Sequence, residues 1–242
     1  MNSKRQALIT GANKGIGFAI AKGLAEAGFF VWIGARDVVR GEHAVAELRR
    51  AELDAGFLEL DVADDASVQD AATALAARTE ALDVLVNNAG IAVDMARAPS
   101  QVRMQDMKAV YEVNLFGPVR VTQAFLPLLR AADQARIVMM GSGVGSLTLI
   151  TDPTSLYSTV NLLDYTSSKV ALNAVTVSFA KELAPLGIKV NAVEPGHVRT
   201  DLNSNSGVLT PEEGAVIAIK MALLESDGPT GGFFGGHGRQ PW

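Results

Sequence analysis

Tyr165 and Lys169 stand four residues apart in Tyr165-Thr166-Ser167-Ser168-Lys169, near the start of a segment with helical periodicity over 163–183. Residues four apart share a helix face, so the phenol and the ammonium would be neighbours. An unperturbed tyrosine titrates near ~10, and an adjacent positive charge favours the phenolate and lowers that value. Such a pair could give a proton to a carbonyl oxygen, or take one from an alcohol, near neutral pH. Alone, the spacing is common on solvated helix faces, and its weight depends on what accompanies it.

A second signal lies at the other end of the chain. The apolar run 7–10 leads into Gly11-Ala12-Asn13-Lys14-Gly15-Ile16-Gly17, and a helical pattern follows. Free N–H groups and the dipole at a helix N-terminus favour a pyrophosphate. Glycines permit the tight turn and close backbone approach that such a group needs. The spacing is Gly-x-x-x-Gly-x-Gly, and its position between a first strand and a first helix is the context that the motif requires. At the end of the second apolar run stand Gly34-Ala35-Arg36-Asp37. A ribose with a free 2′-hydroxyl is usually held by an acid at this place, whereas a 2′-phosphate needs a fixed cation. Arg36 supplies a cation, with Lys14 across from it, so the pattern favours NADPH over NADH. The competing reading makes Asp37 the ribose acid and Arg36 a surface residue.

These groups need a scaffold, and the chain alternates short apolar runs with helical segments. Strands are predicted at 7–10, 29–34, 57–60, 82–86, 136–140, 189–193 and 232–234, and helices at 16–27, 38–51, 64–79, within 104–131, 163–183 and 211–224. Strands apolar on both faces, in βαβα order, predict a doubly wound parallel α/β sheet of about seven strands with helices on both faces. With no dividing linker, residues 1–242 read as one domain. Two polar segments, near 143–163 and 197–210, follow strand ends, where open α/β sheets bind ligands. Thr210, Pro211 and Glu213 read as a cap, a first-turn proline and a capping-box glutamate.

Composition narrows the classes of partner. The chain has 242 residues, a net charge of −5, 48% hydrophobic and 19% charged residues, and no cysteine. No basic run suggests nucleic acid, and nothing approaches the ~20 apolar residues of a membrane span. Disulfides and thiolate metal sites are excluded. His43, His197 and His237 lack ligand spacing, so no metal is expected. The N-terminus does not read as a signal peptide, and a cytoplasmic location is the expectation.

In order along the chain come Thr10-Gly11-x-x-x-Gly15-Ile16-Gly17, Asn87-Asn88-Ala89-Gly90, Asn114, Ser142, Tyr165-x-x-x-Lys169 and Pro195-Gly196. Over nearly its whole length the chain resembles the short-chain dehydrogenase/reductases, with a Rossmann-type fold. The resemblance implies that Tyr165 is the proton donor and that Ser142 hydrogen-bonds the substrate oxygen. Lys169 would bind the nicotinamide ribose and lower the tyrosine pKa, and Asn114 would hold a water in a relay to the lysine. It also implies a cofactor site made of Gly11, Asn13, Lys14, Gly15, Ile16, Gly17 and Arg36, with Asp61 and Val62 at the adenine. Asn88, Ala89 and Gly90 would lie beneath the adenosine ribose. Pro195, Gly196, Val198 and Thr200 would touch the nicotinamide amide and the pyrophosphate, and Tyr165 and Lys169 would complete the site.

The family usually places its serine nearer the tyrosine, whereas Ser142 precedes Tyr165 by 23 residues. The extra length reads as a polar insertion, and Ser146 is a rival for the serine role. A longer segment here resembles carbonyl reductases of the monomeric kind, as do Asn13-Lys14-Gly15 and Gly34-Ala35-Arg36-Asp37. The expectation is therefore an NADPH-dependent enzyme that reduces an aldehyde or ketone, acting on a small neutral carbonyl compound. Its alternatives are an NAD-dependent alcohol dehydrogenase and a dinucleotide-binding sensor without turnover. Monomer and homo-oligomer remain open, because this helix often builds the family's interfaces.

Overall fold

The apolar runs pair into one sheet because helices cover both of its faces and leave the backbone groups no partner but each other. The computed structural model describes residues 4–242. In chain order the elements are β1 (Gln6–Thr10), α1 (Gly15–Glu26), β2 (Phe30–Ala35), α2 (Val38–Arg50), β3 (Ala55–Glu59), α3 (Asp65–Ala76), β4 (Val84–Asn87), α4 (Met104–Tyr111), α5 (Gly117–Ala131), β5 (Arg136–Met140), α6 (Leu147–Thr151), α7 (Leu163–Leu183), β6 (Lys189–Val193), α8 (Pro211–Ala222), β7 (Phe233–Gly235) and β8 (Gly238–Gln240). The strand order is β3-β2-β1-β4-β5-β6-β7-β8. All neighbours are parallel except β7 and β8. The expected doubly wound α/β sheet is present. It gains an eighth strand where the glycine-rich end of the chain folds back on β7.

Successive side chains of a strand face opposite sides, and the core divides accordingly. Leu8, Ile137 and Met139 join α3, α5 and α7 in one layer. Ala7, Ile9, Val138 and Met140 join α1, α2 and α8 in the other. Phe29, Phe125 and Phe233 are fully buried, each contributing about 1.5–3 kcal/mol from burial. The order reverses between β1 and β4, so the turns after these strands diverge and leave a crevice at their C-terminal ends.

Three expectations are refined. The helix expected within 104–131 is two helices joined by a π-helical turn at Glu112–Phe116. Pro118 has no N–H to give to the carbonyl of Asn114 four residues earlier, which removes one α-helical bond. The Gly117 N–H instead donates to the carbonyl of Glu112, five residues back. The segment near 143–163 carries a 3-10 turn at Gly143–Gly145 and then α6. The segment near 197–210 is pinned by a bridge between Val198 and Leu209. The capping box forms as expected: Thr210 Oγ1 accepts from the Glu213 N–H at 3.2 Å, and Glu213 Oε2 accepts from the Thr210 N–H at 2.7 Å. Among the described residues no helix is long and apolar enough to cross a membrane.

Candidate active site

The turn between β1 and α1 is shaped by its glycines. Gly11 and Gly15 have φ of +64° and +57°, which side-chain-bearing residues rarely adopt. Gly17 is required by contact. A Cβ there would lie 2.4 Å from Asn88 Nδ2 and 2.6 Å from the Gly11 carbonyl oxygen. The first turn of α1 has no side-chain cap and no acidic residue. Its N–H groups are therefore open to an anion. Asn13 and Ile16 are half-buried in this turn, and Lys14 is exposed.

The Asn88-Ala89-Gly90 turn is bolted to β1. Thr10 Oγ1 accepts from the Asn88 N–H at 2.9 Å and the Ala89 N–H at 3.0 Å, and Asn88 Nδ2 donates to the Thr10 carbonyl at 2.8 Å. Thr10 thus sets the spacing of the two loops that flank the crevice. It stood beside the expected site residues, and only the fold shows what its hydroxyl does.

At the end of β2 the two rival residues separate. Asp37 caps α2, accepting from the Arg40 N–H at 3.0 Å and pairing with its guanidinium at 3.3 Å. Arg36 is exposed, and it forms no ion pair among the described residues. Lys14 pairs with Asp201 at the surface. At the end of β3, Asp61 Oδ1 accepts from the Ala63 N–H at 3.0 Å, and Val62 is buried against Gly117. On the far side of the crevice, Pro195 and Gly196 are half-buried after β6, and Val198 is buried beneath Gly214 of α8. Thr200 Cγ2 comes within 3.7 Å of where a Gly15 Cβ would lie, so this segment meets the glycine turn.

The four expected catalytic side chains converge between α4–α5, the end of β5 and the start of α7. Asn114 is fully buried in the π-turn. Its amide clamps Ile91, accepting from the Ile91 N–H at 2.8 Å and donating to the Ile91 carbonyl at 2.9 Å. Its Nδ2 also lies 3.2 Å from Ser168 Oγ, which donates to the Tyr165 carbonyl at 2.7 Å. Ser168 was not singled out by sequence, since a serine inside a helix carries no distinctive signal. Lys169 is buried, and its Nζ donates to the Met140 carbonyl at 2.8 Å. Gly90 lies where a Cβ would be 3.4 Å from Asn114 Oδ1 and 3.7 Å from Lys169 Nζ, so both polar ends face it.

The rival serines differ in what occupies them. Ser146 is fully buried, and its Oγ caps α6 by accepting from the Leu149 N–H at 3.1 Å. Ser142 is half-buried just after β5, makes no cap, and stands near the Tyr165 phenol, whose pKa it acts to lower.

One electrostatic expectation changes. Burial raises Tyr165 above its ordinary value, and Ser142 only partly opposes this. Lys169 Nζ is 5.5 Å from the centre of the tyrosine ring and is turned to Met140, so its charge does not outweigh the effect of burial on the phenol. Burial also acts on Lys169 itself, lowering it from 10.5 to about 8. Here the phenol is held protonated beside an amine that is still an ammonium at neutral pH. Among the described residues no group of three or more His, Asp or Glu side chains could hold a metal ion.

Comparison with known proteins matches this geometry to a family. The family model described as short chain dehydrogenase matches residues 5–208. Salutaridine reductase of Papaver bracteatum is 33% identical, with 95% of this chain and 94% of that protein covered. That alignment spans 293 positions, more than the 242 residues here, so the relative carries segments without a counterpart in this chain. An NADPH carbonyl reductase of Sus scrofa is 32% identical, with 96% of this chain and 92% of that protein covered. The structure of NADPH-bound carbonyl reductase from chicken fatty liver superposes with a TM-score of 0.87 at 29% identity, over 99% of both chains.

Proposed function

Because this chain belongs to the short-chain dehydrogenase/reductase family of oxidoreductases, we propose that it reduces an aldehyde or ketone to an alcohol with NADPH. The observation that carries this reading is a half-buried Tyr165, kept protonated beside Ser142, with the Lys169 amine anchored to the Met140 carbonyl one helical turn away. Ser142 donates a hydrogen bond to the substrate oxygen, and Tyr165 gives that oxygen its proton as negative charge develops. Lys169 stabilises the phenolate left behind, and Asn114 fixes the Ile91 backbone beside it. NADPH, when bound, supplies the hydride.

The residues of this chain fit that cofactor. The uncapped start of α1 suits the pyrophosphate, with Gly11, Asn13, Gly15, Ile16 and Gly17 around it. Asp61 and Val62 suit the adenine, and Asn88, Ala89 and Gly90 the adenosine ribose. Pro195, Gly196, Val198 and Thr200 close the nicotinamide end. NADPH is favoured over NADH because the exposed Arg36 pairs with no acid among the described residues while Asp37 is committed to capping α2. The relatives named as carbonyl reductases support the same cofactor and reaction.

The test is NADPH consumption across aldehydes, aryl ketones, keto esters and diketones, followed by Tyr165→Phe on the best substrate. Loss of the general acid should lower kcat about 10²–10⁴-fold. Turnover surviving within about tenfold removes Tyr165 from its role. Tight NADPH binding with no turnover across the panel supports a dinucleotide sensor instead.

A further inference from the structure

The segment between Ser142 and Tyr165 returns to the sheet through one side chain. The Tyr157 ring fills the space beside Gly143: a Cβ there would lie 2.2 Å from Tyr157 Cζ and 2.6 Å from its hydroxyl oxygen. That hydroxyl donates to Glu194 Oε1. Burial and the carboxylate both push Tyr157 upward, so it stays a donor.

Glu194 follows the last residue of β6, and its position relative to the catalytic groups comes from register. Val193 pairs with Met140, so one step further Glu194 comes beside Gly141, the residue before Ser142, at the same end of the sheet. Val190 and Ala192 face the layer of α7, and Val193 faces the other. Alternation returns the Glu194 side chain to the α7 side, which carries Tyr165. Its second oxygen, Oε2, lies at Gly235, 3.0 Å from where a Cβ would stand. Glu194 is half-buried, and no cation among the described residues forms an ion pair with it.

A carboxylate without a cationic partner, in a partly desolvated place, repels another anion more strongly than it would in open water. We propose that Glu194, oriented by Tyr157, is a specificity-determining residue of the substrate site, rejecting carbonyl compounds that bear a carboxylate and favouring those that bear a cationic group. The inference rests on the reading of Tyr165 and Ser142 as the reacting centre. It sharpens the expectation of a neutral substrate into a charge preference.

Three para-substituted benzaldehydes of similar size test it: the carboxylate, its methyl ester and the trimethylammonium compound. The wild-type protein should prefer the cation to the anion by at least about tenfold in kcat/KM, with the ester between them. Glu194→Gln should shrink the cation-to-anion ratio at least about fivefold, while the KM for NADPH stays unchanged. Tyr157→Phe keeps the charge but loses its tether, so it should keep the sign of the preference and raise KM for all three aldehydes. An unchanged ratio in Glu194→Gln, with the ester still reduced, overturns the inference and leaves the reductase reading intact. In parallel, benzoate and phenyltrimethylammonium are titrated calorimetrically into the NADPH-loaded wild type and Glu194→Gln. If no aldehyde is reduced but the ratio of the two affinities shifts with Glu194→Gln, the charge filter stands and the reductase reading falls. If that ratio also stays fixed, the inference falls with it.

Discussion

The two sides of the crevice are held in different ways. On the β1 side, the loops are tied through backbone groups and glycine contacts. Thr10 Oγ1 binds two successive N–H groups, and Gly17 lies against Asn88 and Gly11. On the side of the segment before Tyr165, a few hydrogen bonds join distant parts of the chain. Tyr157 reaches Glu194, and the N–H and Oγ1 of Thr148 both donate to the Trp242 carbonyl. The β1 side serves a constant shape, so little there can change without steric conflict. The other side can be lengthened or shortened at small cost, since loop closure depends only weakly on length. The 293-position alignment with salutaridine reductase shows that the family tolerates large length differences.

The difference can be broken most severely at the reacting centre, where both sides meet. Lys169→Met should reduce turnover about 10²–10⁴-fold, measured by NADPH oxidation under single-turnover conditions. Two effects on stability oppose each other: the Met140 carbonyl loses its donor, and a buried charge is removed. Because burial lowers Lys169 to about 8, its ammonium is present below that pH and lost above it. In the wild-type protein kcat/KM for reduction should therefore fall as pH rises through about 8. The cost of holding the charge in the folded state applies below about pH 8 and fades towards the ordinary 10.5. A flat profile from pH 7 to 10 would remove Lys169 from the proton-transfer step.

Next in size is Arg36→Asp. Losing a charge-assisted contact should weaken NADPH by about 10–100-fold and turn the preference towards NADH. The ratio of kcat/KM values for the two cofactors measures this, and an unchanged ratio would return the cofactor question to Asp37. Gly17→Ala places a methyl group 2.4 Å from Asn88 Nδ2. It should cost about 1–3 kcal/mol in denaturant unfolding and loosen dinucleotide binding as well. The smallest effect belongs to the other side. Thr148→Val removes one exposed hydrogen bond to Trp242, and should cost about 1 kcal/mol or less in the same unfolding assay. A loss as large as that of Gly17→Ala would show that the segment before Tyr165 is as rigid as the glycine turn.

What the sequence determined by itself is what depends on local pattern. The βαβα alternation specifies a doubly wound sheet because strands buried on both faces have a distinctive apolar run. The glycine turn, the capping box at Thr210 and the helix carrying Tyr165 and Lys169 were legible because backbone conformation and helical spacing depend on neighbours in sequence. The π-turn has its local signal in Pro118, placed four residues after Asn114. Tertiary structure decided the remainder, since it depends on contacts between residues far apart in the chain. Only the fold shows that Ser146 caps a helix while Ser142 does not, and that Asp37 caps α2 while Arg36 pairs with no acid among the described residues. Only burial shows that Tyr165 is pushed up rather than down, because desolvation belongs to the packed molecule and not to the spacing of two residues. Likewise, the pairing of Tyr157 with Glu194 joins residues 37 positions apart, and no periodicity in the chain could have announced it.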